Sequence, residues 1–423
     1  MFVHFGMSTF EGIDISQGKS PSTTYAPTQL DVRQWVRTAK RAGMKYMVLT
    51  AKHVPGHCLW PSEGYDYSVA TSGNRTDVVA EFIRACKEEG IKPGLYYCVL
   101  DSRNEGGLRW HEPVGDDYFR LIKRQLAELH TRYPGICEQW IDVPGKLSLQ
   151  QRQELYSLVK GLNPECLVLM NAAFVNGVDV QPGSWPTDLL DGERTPPPPE
   201  GHNPVKAFGG KTYYLPMEVC DTICGNWFWT PGDRPKTVRT LYKLYSESVG
   251  RGANLLLNVP PDKTGRIPQD YVDALMELKR VIDDPALLGQ LPRPKSLSFG
   301  CRATASSVWG RHPLWTAENA VDDDPCTFWK AQEGAKQAWL KVDLGKPTTF
   351  DRARIIESGN RVRKFQLQAK SGDVWTTFAA GTTIGKRAAL RFEPLTARQV
   401  RLNIQQATDS PMICQFELLA SKE

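Results

Sequence analysis

The stretch Asp77–Cys98, DVVAEFIRACKEEGIKPGLYYC, decides the fold. From Asp77 to Glu89 the apolar residues recur at helical spacing, and Gly90 stops that period where a C-cap belongs. Gly94–Leu95–Tyr96–Tyr97–Cys98 follows as a short strand-like run. The same order occurs upstream, where Asp31 to Ala42 carries Trp35, Val36 and Ala39 on one face, meets Gly43, and gives way to Tyr46–Met47–Val48–Leu49–Thr50. Further strand-like runs are Glu138–Asp142, Cys166–Met170 and Leu255–Val259. Helix and strand units repeated over nearly 300 residues predict an α/β domain of parallel strands with crossover helices. A (β/α)₈-like TIM barrel, regular or with one irregular unit, fits this repetition better than an open doubly wound sheet. A dinucleotide-binding sheet is disfavoured, because no GxGxxG follows the early strands and no GxxxxGK[ST] occurs anywhere.

A chain of 423 residues exceeds what one hydrophobic core organises, so two domains are expected. The helical pattern ends in the proline-containing stretch from Asp284–Pro285 to Pro292–Arg293–Pro294. Beyond it Ala338–Leu344, Lys364–Ala369 and Val400–Ile404 alternate apolar with polar residues, as half-buried antiparallel strands do. The expected division is a barrel over 1–290 and an all-β sandwich over 291–423.

The formal charge of +5 is spread along the chain, so no basic stripe offers itself to a phosphate backbone and nucleic acid is not an expected partner. No apolar run approaches the roughly 20 residues of a spanning helix, so no membrane association is expected. The 10 cysteines lack paired CxxC spacing, and Cys220 with Cys224 makes only a weak metal signal. The opening Met1–Gly6 has no charged and apolar leader; the native compartment stays open, with a secreted or periplasmic location the expectation. Twelve Trp and 14 Tyr supply flat apolar faces on which sugar rings stack.

In a barrel the reacting groups stand where strands end, because that rim faces a shared hollow. Asp142 closes one strand run, His4 closes the first, and His53 follows another. Two imidazoles and a carboxylate on different strand ends converge on one pocket.

Several motifs carry a resemblance. His4–Phe5–Gly6–Met7–Ser8–Thr9–Phe10, Leu49–Thr50–Ala51–Lys52–His53 with Leu59–Trp60–Pro61–Ser62, Asp66–Tyr67–Ser68–Val69, Gly94–Leu95–Tyr96–Tyr97, Trp140–Ile141–Asp142 and Gly252–Pro261 follow one another at compatible spacing. In that order they resemble the retaining α-L-fucosidases of glycoside hydrolase family twenty-nine over nearly all of the first 280 residues. The resemblance implies Asp142 as nucleophile and a second carboxyl as acid and then base. Glu193 is the choice for that second group, with Glu218 and Asp191 as competitors, Glu200 in a proline-rich loop, and Arg194 a neighbour able to pair with it. It further implies that His4, His53 and Tyr97 bind fucose hydroxyls, that Trp227 packs on the sugar's apolar face and methyl group, and that Trp60 forms a wall. No cofactor is implied for catalysis.

Two positions depart from the family pattern. Val54 stands where many relatives carry a second histidine, so His57 becomes the candidate to supply that contact; Val143 follows the nucleophile where glycine is common. Downstream, Ala303–Ser307, Asn319–Asp322, Thr327–Phe328–Trp329, Trp339–Gly345 and Phe416–Glu417–Leu418 resemble the coagulation-factor type C, or discoidin-like, domains, a jelly-roll fold often used as a carbohydrate-binding module. That resemblance implies a structural calcium held by Asp324, Thr327 and Glu417, and places Cys301 and Cys414 where some relatives have a disulfide. The expected activity is release of terminal α-L-fucose from glycans, with a preference for branched α-1,3/1,4 linkages. The alternatives are a carbohydrate-binding protein with impaired catalysis and a retaining glycosidase acting on another sugar.

Overall fold

The computed structural model describes residues 1–171, 179–311 and 313–420. The chain divides into two compact units, Met1–Pro285 and Ala286–Glu423.

In the first unit the parallel strands are β1 (Phe2–Val3), β2 (Tyr46–Lys52), β3 (Lys92–Cys98), β4 (Glu138–Asp142), β5 (Leu167–Met170) and β6 (Leu190–Glu193). After a two-stranded hairpin, β7 (Val205–Phe208) and β8 (Lys211–Tyr214), come β9 (Met217–Thr222) and β10 (Asn254–Asn258). The eight parallel strands are hydrogen-bonded in the order β5-β4-β3-β2-β1-β10-β9-β6, which brings the last strands back to the first. Only the seam between β5 and β6 lacks a ladder, and there Asp188 and Thr187 bond the backbone of Val168 and Met170 instead. This is a nearly closed TIM-type barrel.

The helices are α1 (Met7–Glu11), α2 (Val32–Arg41), α3 (Val78–Glu89), α4 (Asp116–Arg132), α5 (Leu149–Leu162), α6 (Val238–Ser248) and α7 (Gln269–Asp283). Their ends are locally encoded. Asp31 and Asp77 accept the N3 amides of α2 and α3, Ser148 and Gln151 form a capping box on α5, and Gly90 ends α3 at φ 72°. No α-helix joins β5 to β6 among the described residues, and the β7–β8 hairpin stands in the β6–β9 connection.

Strand alternation sets which side chains reach the site. Phe2, Val48, Tyr96, Cys98, Trp140 and Leu256 point into the barrel, while their neighbours Val3, Leu49, Tyr97 and Ile141 pack outward against the helices. Inside, the Phe2, Tyr96 and Trp140 rings lie 5.3–5.8 Å apart. They plug the lumen and give the rim a solid floor.

The second unit is antiparallel throughout. Its strands are β11 (Arg302–Ala305), β12 (Trp329–Lys330), β13 (Ala338–Glu357), β14 (Val362–Ser371), β15 (Val374–Gly381), β16 (Ala388–Ala407) and β17 (Met412–Leu419). β13 and β16 pair along their length with register shifts at Asp343/Thr348 and Phe350/Arg352. Those breaks let the first half of β13 pair with β11 and the second half with β17. One core, including Leu340, Phe350, Ile355, Leu367, Leu402 and Phe416, fills the fold.

Candidate active site

Asp142 is the last residue of β4 and Glu193 the last of β6, so both carboxyls emerge on the rim, each half-buried. Between them stands Asn171, immediately after β5. Its amide nitrogen donates to Asp142 Oδ1 at 2.7 Å and to Glu193 Oε2 at 3.0 Å. Asp142 also accepts the Tyr96 hydroxyl at 2.5 Å on Oδ2 and the Val143 amide at 2.9 Å on Oδ1. The residue after each carboxyl is left-handed, Val143 at φ 56° and Arg194 at φ 50°. Such backbone is costly for a β-branched valine and concentrates at functional sites.

The two carboxyls titrate differently. Burial pushes Glu193 up to about 7, with the Asp142 charge adding to the rise, while Asn171 and Arg194 oppose it. Burial also raises Asp142, but bonds from Tyr96, Asn171, Val143 and Cys98 favour its ionised form. Glu193 is thereby able to hold a proton near neutrality, while hydrogen bonds offset the rise at Asp142. Arg194 forms no ion pair with Glu193; its guanidinium lies 5.2 Å from the Trp227 ring centroid.

His4 and His53 meet edge to face at the rim with ring centroids 5.6 Å apart. Asn258, at the end of β10, accepts both the His4 amide and Nδ1, and its own amide is oriented by donation to the Trp227 carbonyl at 2.7 Å. An oxygen only accepts, so Nδ1 carries the His4 proton and Nε2 presents a lone pair. Burial pushes His4 down to about 3 and His53 well below its usual range, so both rings are neutral. His53 stacks on Tyr96 at 5.6 Å and meets Phe228 at 4.8 Å. Trp227 lies 5.0 Å from His4, and Asp14 holds the Trp227 and Phe228 amides.

Tyr97 does not reach this hollow. Alternation turns it outward, where its hydroxyl donates to Gln125 at 2.7 Å and Lys52 lies over its ring; Tyr96 is the tyrosine that faces inward, its hydroxyl on Asp142. Trp60 is fully buried and donates to Glu128 at 3.0 Å, a core residue rather than a wall. His57 does not replace the missing histidine, because it bonds Ser72 at 2.8 Å between Tyr25 and Tyr67; Val54 is buried in the lumen cluster.

The competing carboxyls are elsewhere. Glu218 sits at the start of β9, accepting from Trp140 Nε1 at 2.8 Å and from Tyr46, at the N-terminal end of the strands. A cavity of 770 Å³ opens at that end beside Tyr46, Glu138 and Glu218, away from the rim residues. Asp191 lies within the lumen beside Cys220, and burial raises its proton affinity well above the ordinary carboxylate range. Glu200 is exposed. Sequence reasoning missed Asn171, Tyr96, Asn258 and Asp14; Asn171 and Asn258 both stand at strand ends, which was the available signal.

In the second unit Asp324 accepts the Cys326 amide at 2.9 Å, Thr327 donates to Asp322 at 2.7 Å, and Glu417 is engaged through both oxygens by Arg354. Arg354 and Glu417 are direct cross-strand partners. A guanidinium already supplies the charge at Glu417, so this donor set does not fit a calcium ion as arranged. Cys301 and Cys414 are both free thiols.

A barrel rim that pairs a carboxyl raised to about 7 with a second whose ionised form is favoured by four hydrogen bonds, beside neutral imidazoles and an indole, is an arrangement that glycoside hydrolysis uses. The family model "Alpha-L-fucosidase" matches residues 3–282, and "F5/8 type C domain" matches residues 302–418. The Arabidopsis thaliana protein "Alpha-L-fucosidase 1" is 31% identical over 448 residues, covering 100% of this chain and 85% of that one. A crystal structure of a glycoside hydrolase 29 family member from an unknown rumen bacterium is 26% identical with a TM-score of 0.54, covering 100% of this chain and 75% of that one. A Ruminococcus gnavus fucosidase of the same family, solved in complex with fucose, shares the fold at 24% identity and a TM-score of 0.52, covering 100% of this chain and 92% of that one. The chain belongs to the α-L-fucosidase family and is a glycoside hydrolase.

Proposed function

We propose that the protein releases terminal α-L-fucose from fucosylated oligosaccharides and glycoconjugates by a retaining double displacement. Asp142 attacks the anomeric carbon as the glycosidic bond breaks, and Glu193 gives its proton to the departing oxygen. Glu193, now a carboxylate, then takes a proton from the water that displaces Asp142 and restores the starting state. His4 and His53, both neutral, accept and donate hydrogen bonds to the sugar's hydroxyls, and Trp227 receives its apolar face.

The observation that carries this reading is the shared amide of Asn171. Oxygens bonded to one nitrogen at 2.7 and 3.0 Å fall short of the roughly 6.5–9.5 Å spacing that admits a water in inverting pairs, and suit the ~5–5.5 Å of retaining ones. Proton NMR of the first-formed sugar from an aryl α-L-fucoside tests it. Initial α-fucose is expected; initial β-fucose would assign Glu193 a different partner and mechanism. The preference for branched α-1,3/1,4 linkages belongs to the same reading, supported by the appended F5/8 type C domain, and a panel of α-1,2, α-1,3, α-1,4 and α-1,6 fucosides measures it.

A further inference from the structure

Arg194 follows Glu193 directly in the chain, and its left-handed backbone at φ 50° turns its side chain off the line of β6. The guanidinium comes to rest against the ring of Trp227, the aromatic residue that also packs beside His4. A guanidinium brings five N–H donors, and the described residues supply few acceptors there. Nη2 donates to the Gly225 carbonyl at 3.3 Å, while Nε is buried without a hydrogen-bond partner among the described residues. The nearest carboxylate, Asp221, stands 3.8 Å from Nε. Asp221 is already occupied by Lys236 at 2.9 Å and by the Thr222 amide. A buried donor that lacks an acceptor is unfavourable, and a ligand oxygen relieves it.

We propose that Arg194 is a substrate-contacting residue, whose guanidinium donates hydrogen bonds to hydroxyl oxygens of the sugar seated against Trp227. The assignment rests on the fucoside reading of the pocket. A second consequence follows from charge. Glu193 is faced by Asp142 from β4, Asn171 after β5, Asp191 on its own strand, and Asp221 from β9. Arg194 is the cation among these groups, and it favours the ionised Glu193 that the second half of the reaction needs.

Two variants, Arg194→Met and Arg194→Lys, test the assignment through calorimetric titration with L-fucose and through the pH profile on an aryl α-L-fucoside. Arg194→Met is expected to weaken fucose binding about ten-fold or more and to move the alkaline limb of kcat/KM to higher pH. Arg194→Lys keeps the charge and loses the planar fork, so its pH limb stays in place while its affinity still falls. Fucose affinity within twofold of wild type in a folded Arg194→Met protein would overturn the proposal; should that variant not fold, unchanged affinity in Arg194→Lys does so. A wild-type protein that binds fucose through Arg194 yet hydrolyses no fucoside would uphold this contact and sink the catalytic reading. A wild type that binds no fucose would sink both.

Discussion

Each end of the barrel holds a pair of buried acids on the same framework, and only one pair suits chemistry. At the N-terminal end Glu138 of β4 and Glu218 of β9 are both raised chiefly by burial, the Glu218 charge adding to the rise at Glu138, and both are almost wholly inaccessible. Glu218 is engaged by Trp140 Nε1 and by the Tyr46 hydroxyl, and neither carboxyl is open to a sugar carbon. At the C-terminal end the carboxyls of Asp142 and Glu193 are separated by the amide of Asn171 and remain partly accessible. Burial raises proton affinity at both ends; access makes the difference.

The sharpest break of this contrast is Asp142→Gly, expected to lower kcat by about 10⁴-fold or more, with azide restoring turnover as a fucosyl azide. Glu218→Gln is expected to stay within about threefold of wild type on the same assay, since it lies outside the reacting shell. Equal losses in the two variants would erase the distinction between the ends. Glu193→Gln should cost about 10²–10⁴-fold on substrates with basic leaving groups and less on aryl ones. It should also abolish the alkaline limb that Glu193, at about 7, imposes on the pH profile. Asn171→Ala removes one donor from each rim carboxyl, and a loss of about ten- to a hundred-fold is expected. Because its bonds lower both proton affinities, both limbs should move to higher pH.

The smallest effect is on stability. Glu193 binds its proton more tightly folded than unfolded, so its contribution is complete below its ordinary carboxylate range and is lost as pH rises through about 7. Glu193→Gln should therefore raise Tm more at pH 8 than at pH 5, by about 2–4 °C for each kcal/mol relieved. Calorimetric scans at the two pH values measure it, and a larger gain at pH 5 would reverse the assigned sign.

Much of the barrel was legible because its signals are local. Gly90 ends α3 and Asp77 begins it through backbone conformation and a neighbouring amide, and the run Glu138–Asp142 coincides with β4. The irregularity between β5 and β9 was foreseen only as one unit out of pattern, and the hairpin that stands there has no helical period to betray it. Asp142, Glu193, His4, His53 and Trp227 stand around the rim in the structure. Tyr97 and Tyr96 were interchanged because adjacent aromatic residues on a strand look alike in a sequence, and a one-residue step reverses the face. Asn171 escaped notice because an amide at a strand end resembles any turn residue until two carboxylates are seen on it.

Composition, spacing and motif order by themselves determined that this chain forms a barrel followed by a β domain, and that its chemistry gathers on strand ends. Those properties depend on side-chain period and on residues close in the chain. Which carboxyl faces which, how far apart they stand, and which arginine keeps a buried Nε without a hydrogen-bond acceptor were decided by the closing of the barrel. That closure brings β4, β5, β6 and β9 side by side from distant parts of the chain, and burial then sets the proton affinities that the free residues do not have.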